Sequence, residues 1–387
     1  MAIDRRTRIL IVDDSAVMRS LLRSVVSSDS RLEVAGTAAD GATALSAVAL
    51  ERPDLVLLDV EMPVMDGLVT LRQLRAQGYK MPVIMCSSLT QRGAKVTIEA
   101  LAGGASDYVA KPAGQSGRDE ALRTLAQELL PKIRALASAS LGRAQRLPVL
   151  PISTRAPLTL PAAPPASPPI TSTPSVLAIG VSTGGPAALD LLLPALPANF
   201  PLPILVVQHM PEVFTHLLAE RLNERCNLRV REASEGHVIE PGNIYVARGN
   251  WHMEVVAAAR PGARDTIHLN QSPPENHCRP AVDVLFRSVA KIYGSGVLAV
   301  VLTGMGYDGL AGARLIRQQG GYVLAQDQAT STVWGMPGAV AQAGLAHRVL
   351  PLSAMAPEIV RICARANSAI SANSANPANA SSRPAVS

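Results

Sequence analysis

Short apolar runs alternate with segments of helical spacing along the first third of the chain. The runs are Ile9–Val12, Glu33–Ala38, Leu55–Leu58, Val83–Cys86 and Tyr108–Ala110. Between them, stretches such as Ala16–Val26 and Ala42–Leu50 place apolar residues at a period near 3.6. Strand-length runs separated by helical patterns predict a parallel sheet with helices on both faces, a (βα)5 arrangement. Pro53 and Pro82 stand just before two of the runs, where they end the preceding helix. A second series starts near residue 175. Val176–Ile179, Ile204–Val207, Val297–Leu302 and Tyr322–Ala325 are continuous apolar runs, as expected of strands buried on both faces. Helix-like stretches lie at Ala187–Leu193, Leu310–Gln318 and Ala339–Ala343. Residues 228–256 predict short antiparallel strands, with turns at Pro241-Gly242-Asn243 and Gly249-Asn250. The fold class is therefore α/β in both parts, the second doubly wound and mostly parallel with a small antiparallel element. No repeat relates the two parts.

Residues 138–174 break this rhythm. Proline, alanine and serine dominate there without helical period, which predicts a semi-extended linker with no core. The stretch 367–387 is equally featureless and is expected to be a disordered tail. The expected organisation is thus a domain over 1–137, a linker over 138–174, a second domain over 175–366 and the tail. A chain of 387 residues comfortably holds two cores. With 48% hydrophobic and 17% charged residues it reads as globular, not disordered.

The net charge of +6 invites a nucleic-acid reading. By segment, residues 1–137 and 175–365 each carry a net of +1, while three arginines in 138–174 and Arg383 supply the rest. Neither folded part has a basic stripe or a helix-turn-helix pattern, so no nucleic-acid partner is expected. Cys86, Cys226, Cys278 and Cys363 are far apart and form no C-x-x-C pair, as expected of reduced thiols. The only apolar stretch near the start, Ile9–Val12, is too short for a secretory signal, and no segment reaches the ~20 apolar residues of a membrane span. A cytoplasmic monomer without membrane insertion is expected.

Chemistry-bearing residues gather at strand ends. Asp13 and Asp14 follow the first run of the N-terminal part, Asp59 the third, Ser87 the fourth and Lys111-Pro112 the fifth. In a doubly wound sheet the carboxyl ends of the strands share one edge, where ligands bind. One aspartate after a strand is explained by a turn or a helix cap. Three carboxylates, a hydroxyl and a lysine on one edge are not. Such carboxylates repel unless a cation joins them, and oxygen donors suit Mg²⁺. Asp59 could then accept a phosphoryl group, with Mg²⁺ and Lys111 neutralising it and Ser87 binding a phosphoryl oxygen.

Residues 7–130 resemble a two-component receiver domain through Val12-Asp13-Asp14-Ser15, Leu58-Asp59-Val60-Glu61-Met62-Pro63, Met65-Asp66-Gly67 and Lys111-Pro112. The resemblance implies Asp59 as the phospho-acceptor supplied by a histidine kinase. It also implies Mg²⁺ on Asp14, Asp59 and the Glu61 carbonyl with Asp13 in support, and a Ser87–Tyr108 pair that reports the phosphorylation state.

In the second part, Gly180-Val181-Ser182-Thr183-Gly184-Gly185 follows a strand and precedes a helix opened by Pro186. Such a turn could cradle phosphate or present a nucleophile. It lacks the G-x-G-x-x-G of a dinucleotide site and a P-loop lysine. Two further strand ends carry Gln208-His209-Met210 and Thr303-Gly304-Met305-Gly306-Tyr307-Asp308-Gly309. A serine needs a base to take its proton, and an imidazole needs a carboxylate to fix its tautomer. Ser182, His209 and Asp308 on one sheet edge answer both needs. Their order along the chain differs from that of α/β-hydrolases.

The strings IGVSTGGP, VVQHM, EPGNIYVA, CRPAVDVLF and VLTGMGYDG, in this order after a receiver, resemble the chemotaxis methylesterase (CheB) family. The resemblance covers everything but linker and tail. It implies a Ser182–His209–Asp308 triad that hydrolyses γ-glutamyl methyl esters of methyl-accepting chemotaxis receptors, releases methanol, deamidates certain receptor glutamines and needs no cofactor for the ester chemistry. Backbone N–H groups at Thr183 and near Met305 are expected to hold the oxyanion. An unphosphorylated receiver packed over the cleft would block it. The chain departs from the family at Cys278-Arg279-Pro280-Ala281, where a histidine and a serine are commoner, and at Ala247-Arg248-Gly249-Asn250. A non-enzymatic adaptor, a DNA-binding regulator and a nucleotide-binding second domain are the competing readings; none needs all three strand-end residues.

Overall fold

A computed structural model describes residues 5–88, 90–112, 117–144, 173–260 and 262–374. The N-terminal domain runs β1 (Thr7–Val12), α1 (Ala16–Ser27), β2 (Leu32–Ala38), α2 (Gly41–Glu51), β3 (Leu55–Asp59), α3 (Gly67–Ala76), β4 (Val83–Ser87), α4 (Gln91–Ala102), β5 (Asp107–Ala110) and α5 (Arg118–Ala144). Its five strands are parallel in the order β2-β1-β3-β4-β5. The order reverses at β1/β3, which opens the crevice for a ligand. Helix starts are fixed by short polar side chains: Ser15, Asp40, Asp66 and Thr90 each accept a backbone N–H in the first turn that follows. Ser15 and Asp66 are thus caps as well as neighbours of the acidic edge.

The C-terminal domain begins with β6 (Val176–Val181), α6 (Gly185–Leu192), β7 (Ile204–Gln208), α7 (Glu212–Arg225), β8 (Arg229–Glu232), β9 (Asn243–Val246), β10 (His252–Val256) and β11 (Thr266–Asn270). It continues through α8 (Val282–Tyr293), β12 (Val297–Val301), α9 (Leu310–Gln318), β13 (Tyr322–Gln326), α10 (Met336–Gln342), β14 (Arg348–Leu350) and α11 (Leu352–Ser374). A seven-stranded sheet has the order β14-β13-β12-β6-β7-β9-β8. From β6 the chain winds first toward β7 and later returns to β12 on the other side. The switch point therefore lies at the carboxyl ends of β6, β7 and β12.

Three expectations need correction. Residues 228–256 are not a run of antiparallel strands: β8 and β9 join the main sheet in parallel, and only β10 pairs antiparallel, with β11. Helix α5 runs to Ala144, seven residues into the expected linker, because Ala137–Ala144 is rich in good helix formers. Helix α11 likewise runs to Ser374, into the expected tail. The remainder of the linker, 145–172, and of the tail, 375–387, lies outside the described residues.

The two domains pack together through α4, β5 and α5 on one side and α6, α7 and the residues after β12 on the other. The Tyr108 ring stacks on Phe214 with centroids 4.5 Å apart. Met305 and Val333 pack against the apolar cluster that holds Leu125, Leu129 and Ile133 of α5.

Candidate functional site

The crevice between β1 and β3 collects the acidic residues. Ligand oxygens of Asp13, Asp14 and Asp59 lie within 4.8 Å of one another. Asp13 and Asp59 are buried and Asp14 is exposed. Lys111, just past β5, sets its Nζ 2.7 Å from Asp59 Oδ1 and 2.8 Å from Asp13 Oδ2. Burial pushes the Asp59 carboxyl up to about 6, against the pull of Lys111. Three hard oxygen donors with a single lysine among them fit a small divalent cation that keeps part of its water shell. The Glu61 N–H donates to Asp59 Oδ1 at 3.4 Å, while its carboxylate leans toward Arg92 at 3.8 Å, outside the cluster. Gly67 is required here: a Cβ at that position would stand 2.0 Å from the Asp59 carbonyl oxygen. Ser87 Oγ accepts from Thr97 Oγ1 at 2.8 Å and donates to the Ser88 carbonyl at 3.1 Å. Among the described residues no hydrogen bond joins Ser87 to Tyr108, whose ring is committed to the domain interface.

In the second domain, sheet register does the assembling. Val181 pairs with Gln208, so the next residues, Ser182 and His209, leave adjacent strands side by side. The Ser182 N–H donates to the Thr303 carbonyl at 3.0 Å, which ties the serine to the chain leaving β12. The turn after Ser182 needs glycine, since Gly184 has φ +77° and a Cβ there would meet Thr332 Oγ1 at 2.3 Å.

Asp308 is buried and densely bonded. Its Oδ2 lies 2.8 Å from His209 Nε2 and accepts the Val282 N–H at 2.7 Å. Its Oδ1 accepts the N–H groups of Asp283 at 3.0 Å and Gly309 at 2.9 Å, and the Asn276 side-chain amide at 2.9 Å. Burial works against its charge, but His209 and these donors hold its pKa below the ordinary carboxylate value. For His209 burial opposes the cation; the hydrogen bonds to Asp308 and Cys278 outweigh it and hold the ring at about 9. The second ring nitrogen, Nδ1, lies 3.4 Å from Cys278 Sγ. Among the described residues, the Ser182 hydroxyl makes no hydrogen bond with His209. The peptide N–H groups of Thr183 and Met305 likewise donate to no protein acceptor among the described residues, as an oxyanion site requires.

These residues line a cleft of about 790 Å³ whose opposite wall is the first domain, with Asp107, Tyr108, Glu128 and Lys132. Across it, Thr183 Oγ1 donates to Asp107 Oδ2 at 2.6 Å. The cleft also contains residues that the sequence reading did not assign. Asn276 bridges Asp308 and Asp283, its Nδ2 also donating to Asp283 Oδ2 at 3.1 Å. Its left-handed φ of +51° is one that asparagine tolerates better than most residues, a weak signal at best. Asp283 and Cys278 fall within the string CRPAVDVLF but carry no spacing that announces contact with residues 209 and 308.

An acidic crevice with a lysine on one doubly wound domain, set against a serine–histidine–aspartate edge on another, marks the class: a receiver-type domain joined to a hydrolase-type domain. Residues 9–123 match the response regulator receiver domain, and residues 177–359 match CheB methylesterase. The chain is 48% identical to the protein-glutamate methylesterase/protein-glutamine glutaminase of Trichodesmium erythraeum over 92% of this chain and 98% of that one. It is 50% identical to a protein of the same name from a Nocardioides species, over 92% and 96% of the two chains. With the counterpart numbered 2 in Caulobacter vibrioides it shares 47%, over 91% and 97%. The chain belongs to the CheB family of protein-glutamate methylesterase/protein-glutamine glutaminases. Among the described residues, no helix is long and apolar enough to cross a membrane.

Proposed function

We propose that this chain hydrolyses γ-glutamyl methyl esters on methyl-accepting chemotaxis receptors, and deamidates selected receptor glutamines, with Ser182 as nucleophile, His209 as base and Asp308 as its orienting carboxylate. The observation that carries the reading is the 2.8 Å His209–Asp308 contact at the strand end beside Ser182. His209 takes the Ser182 proton as the hydroxyl oxygen attacks the ester carbonyl, and returns it to the departing methoxide, which leaves as methanol. Water, deprotonated by the same ring, then releases the glutamate from Ser182. The N–H groups of Thr183 and Met305 receive the oxyanion, a contribution of roughly 10²–10³ in rate per donor. Deamidation follows the same path with ammonia leaving. The ester chemistry calls on no cofactor.

Phosphorylation of Asp59 by a histidine kinase controls access. In the receiver, Asp14, Asp59 and the Glu61 carbonyl would hold Mg²⁺ with Asp13 in support; the ion would neutralise phosphoryl charge alongside Lys111, and Ser87 would bind a phosphoryl oxygen. The closed cleft favours a population shift, phosphate weakening the interface that Tyr108 occupies and opening the site. The chain acts as a cytoplasmic monomer. Ser182→Ala should reduce methanol release from methylated receptor to background while Asp59 phosphorylation persists. Turnover that survives in this variant rejects the assignment.

A further inference from the structure

His209 has two ring nitrogens and three candidate partners. Its Nε2 is on Asp308, and that carboxylate cannot swing away, since both its oxygens are held by backbone N–H groups of 282, 283 and 309. Only Nδ1 is then left to receive the Ser182 proton, and Nδ1 faces Cys278 Sγ at 3.4 Å. The sulfur is held there. The Cys278 N–H donates to the Glu275 carbonyl at 2.8 Å, and the Glu275 N–H returns a bond to the Cys278 carbonyl at 3.1 Å. Glu275 is gripped in turn by the two terminal guanidinium nitrogens of Arg287. The intervening Asn276 and His277 both have left-handed backbones, a fixed turn that aims the thiol at the ring.

We propose that Cys278 competes with Ser182 for Nδ1 of His209, and is a positioning residue that sets when the ring can act as a base. This rests on the assignment of Ser182, His209 and Asp308 given above. The thiol can donate S–H to a neutral ring, and the thiolate can accept N–H from a charged one; both occupy the nitrogen that Ser182 needs. As a thiolate the sulfur, through its hydrogen bond and its charge, favours the protonated ring, so removing it should make His209 a base at lower pH.

The charged side chains around the ring are engaged elsewhere, and two further titratable groups lie at the mouth. Glu212, at the start of α7, pairs with Arg248. Arg279 is bound to Asn250 and to the carbonyls of Gln271 and Ser272. Across the cleft, Lys132 pairs with Asp107 and Glu128. His277 and Tyr307 line the mouth without a hydrogen bond to His209 among the described residues.

The test is the pH dependence of kcat/KM for methanol release from methylated receptor, using the full chain with a phosphoryl donor. Cys278→Ala and the bulkier, apolar Cys278→Val are compared with the parent, each first shown to accept phosphate at Asp59. The acid limb should move down by about one pH unit in both variants, giving a roughly tenfold rise at a pH on that limb. A purely structural role for Cys278 would lower the plateau without moving the limb. Limbs that stay in place overturn the competition while leaving the catalytic assignment intact. Methanol release by Ser182→Ala, run in parallel, would overturn both.

Discussion

The Thr183 hydroxyl donates a 2.6 Å hydrogen bond across the domain boundary to the Asp107 carboxylate, one residue from Ser182. Asp107 opens β5, and Lys111, which grips Asp59, follows the far end of the same strand. Four residue steps of extended chain, roughly 13 Å, thus separate the lysine bound to Asp59 from the cover of the cleft. A hydrogen bond to a charged acceptor contributes about 1.5–3 kcal/mol. In the closed state Asp107→Ala also leaves half-buried Lys132 with one carboxylate fewer, a cost relieved by opening to water. Basal methanol release without a phosphoryl donor should therefore rise roughly tenfold in Asp107→Ala. An unchanged basal rate would remove this contact from the control of access.

The acidic crevice and the three strand-end residues were legible because a parallel doubly wound sheet puts every strand's carboxyl end on one edge. Identifying the apolar runs therefore located Asp13, Asp59 and Lys111 at one sheet edge, and Ser182, His209 and Asp308 at the edge of the other sheet. The direction of β8 and β9 was not legible. Strands of four residues between turn signals have the same pattern in parallel and antiparallel pairing, and the connections decide. The partners of the triad were hidden for a similar reason. Cys278 and His209 are 69 positions apart, and Asn276 and Asp308 are 32 apart, distances over which periodicity carries no information. The end of α5 was not legible because the proline count marks the middle of a linker better than its ends. Ala137–Ala144 precedes the prolines and folds as the last turns of α5.

Asp59→Asn should retain basal esterase activity and lose its stimulation by a phosphoryl donor, measured as methanol release with and without donor. The amide keeps the shape of the site but cannot form the acyl phosphate. Stimulation that persists would place the acceptor elsewhere.

Lys111→Met leaves Asp13 and Asp59 facing each other with no lysine between them. Breaking a buried ion pair in this way costs on the order of 3 kcal/mol. The receiver should unfold at lower temperature, and added Mg²⁺ should recover part of the loss by neutralising the same carboxylates. Thermal unfolding with and without the ion reads both effects, and a variant as stable as the parent would contradict the pairing.

Asn276 joins two carboxylates that would otherwise repel. Asn276→Gly keeps the left-handed backbone and removes the amide, so a loss of activity cannot be ascribed to strain. kcat should fall by about tenfold with KM little changed, since the role proposed for Asp308 is to orient the base and not to bind the receptor. A change confined to KM would instead make Asn276 a substrate contact.

Asp283 gives a pH-dependent test of the same carboxylate pair. Burial first, and then the charge of Asp308, raise its pKa from 3.8 to about 6, against the hydrogen bonds from Gly312 and Asn276. An acid whose folded pKa is raised holds its proton more tightly in the folded chain. Its ionisation therefore costs stability as pH rises from about 4 to about 6, with the cost constant above that window and absent below it. Asp283→Asn carries no such charge and can still accept from the Gly312 N–H through its amide oxygen. Relative to the parent, its catalytic domain should gain thermal stability steadily between pH 4 and 6 and hold that advantage at pH 7. Matched scans of the two full chains across this range decide the point. An advantage independent of pH would mean that Asp283 and Asp308 do not share their burden of charge as the geometry requires.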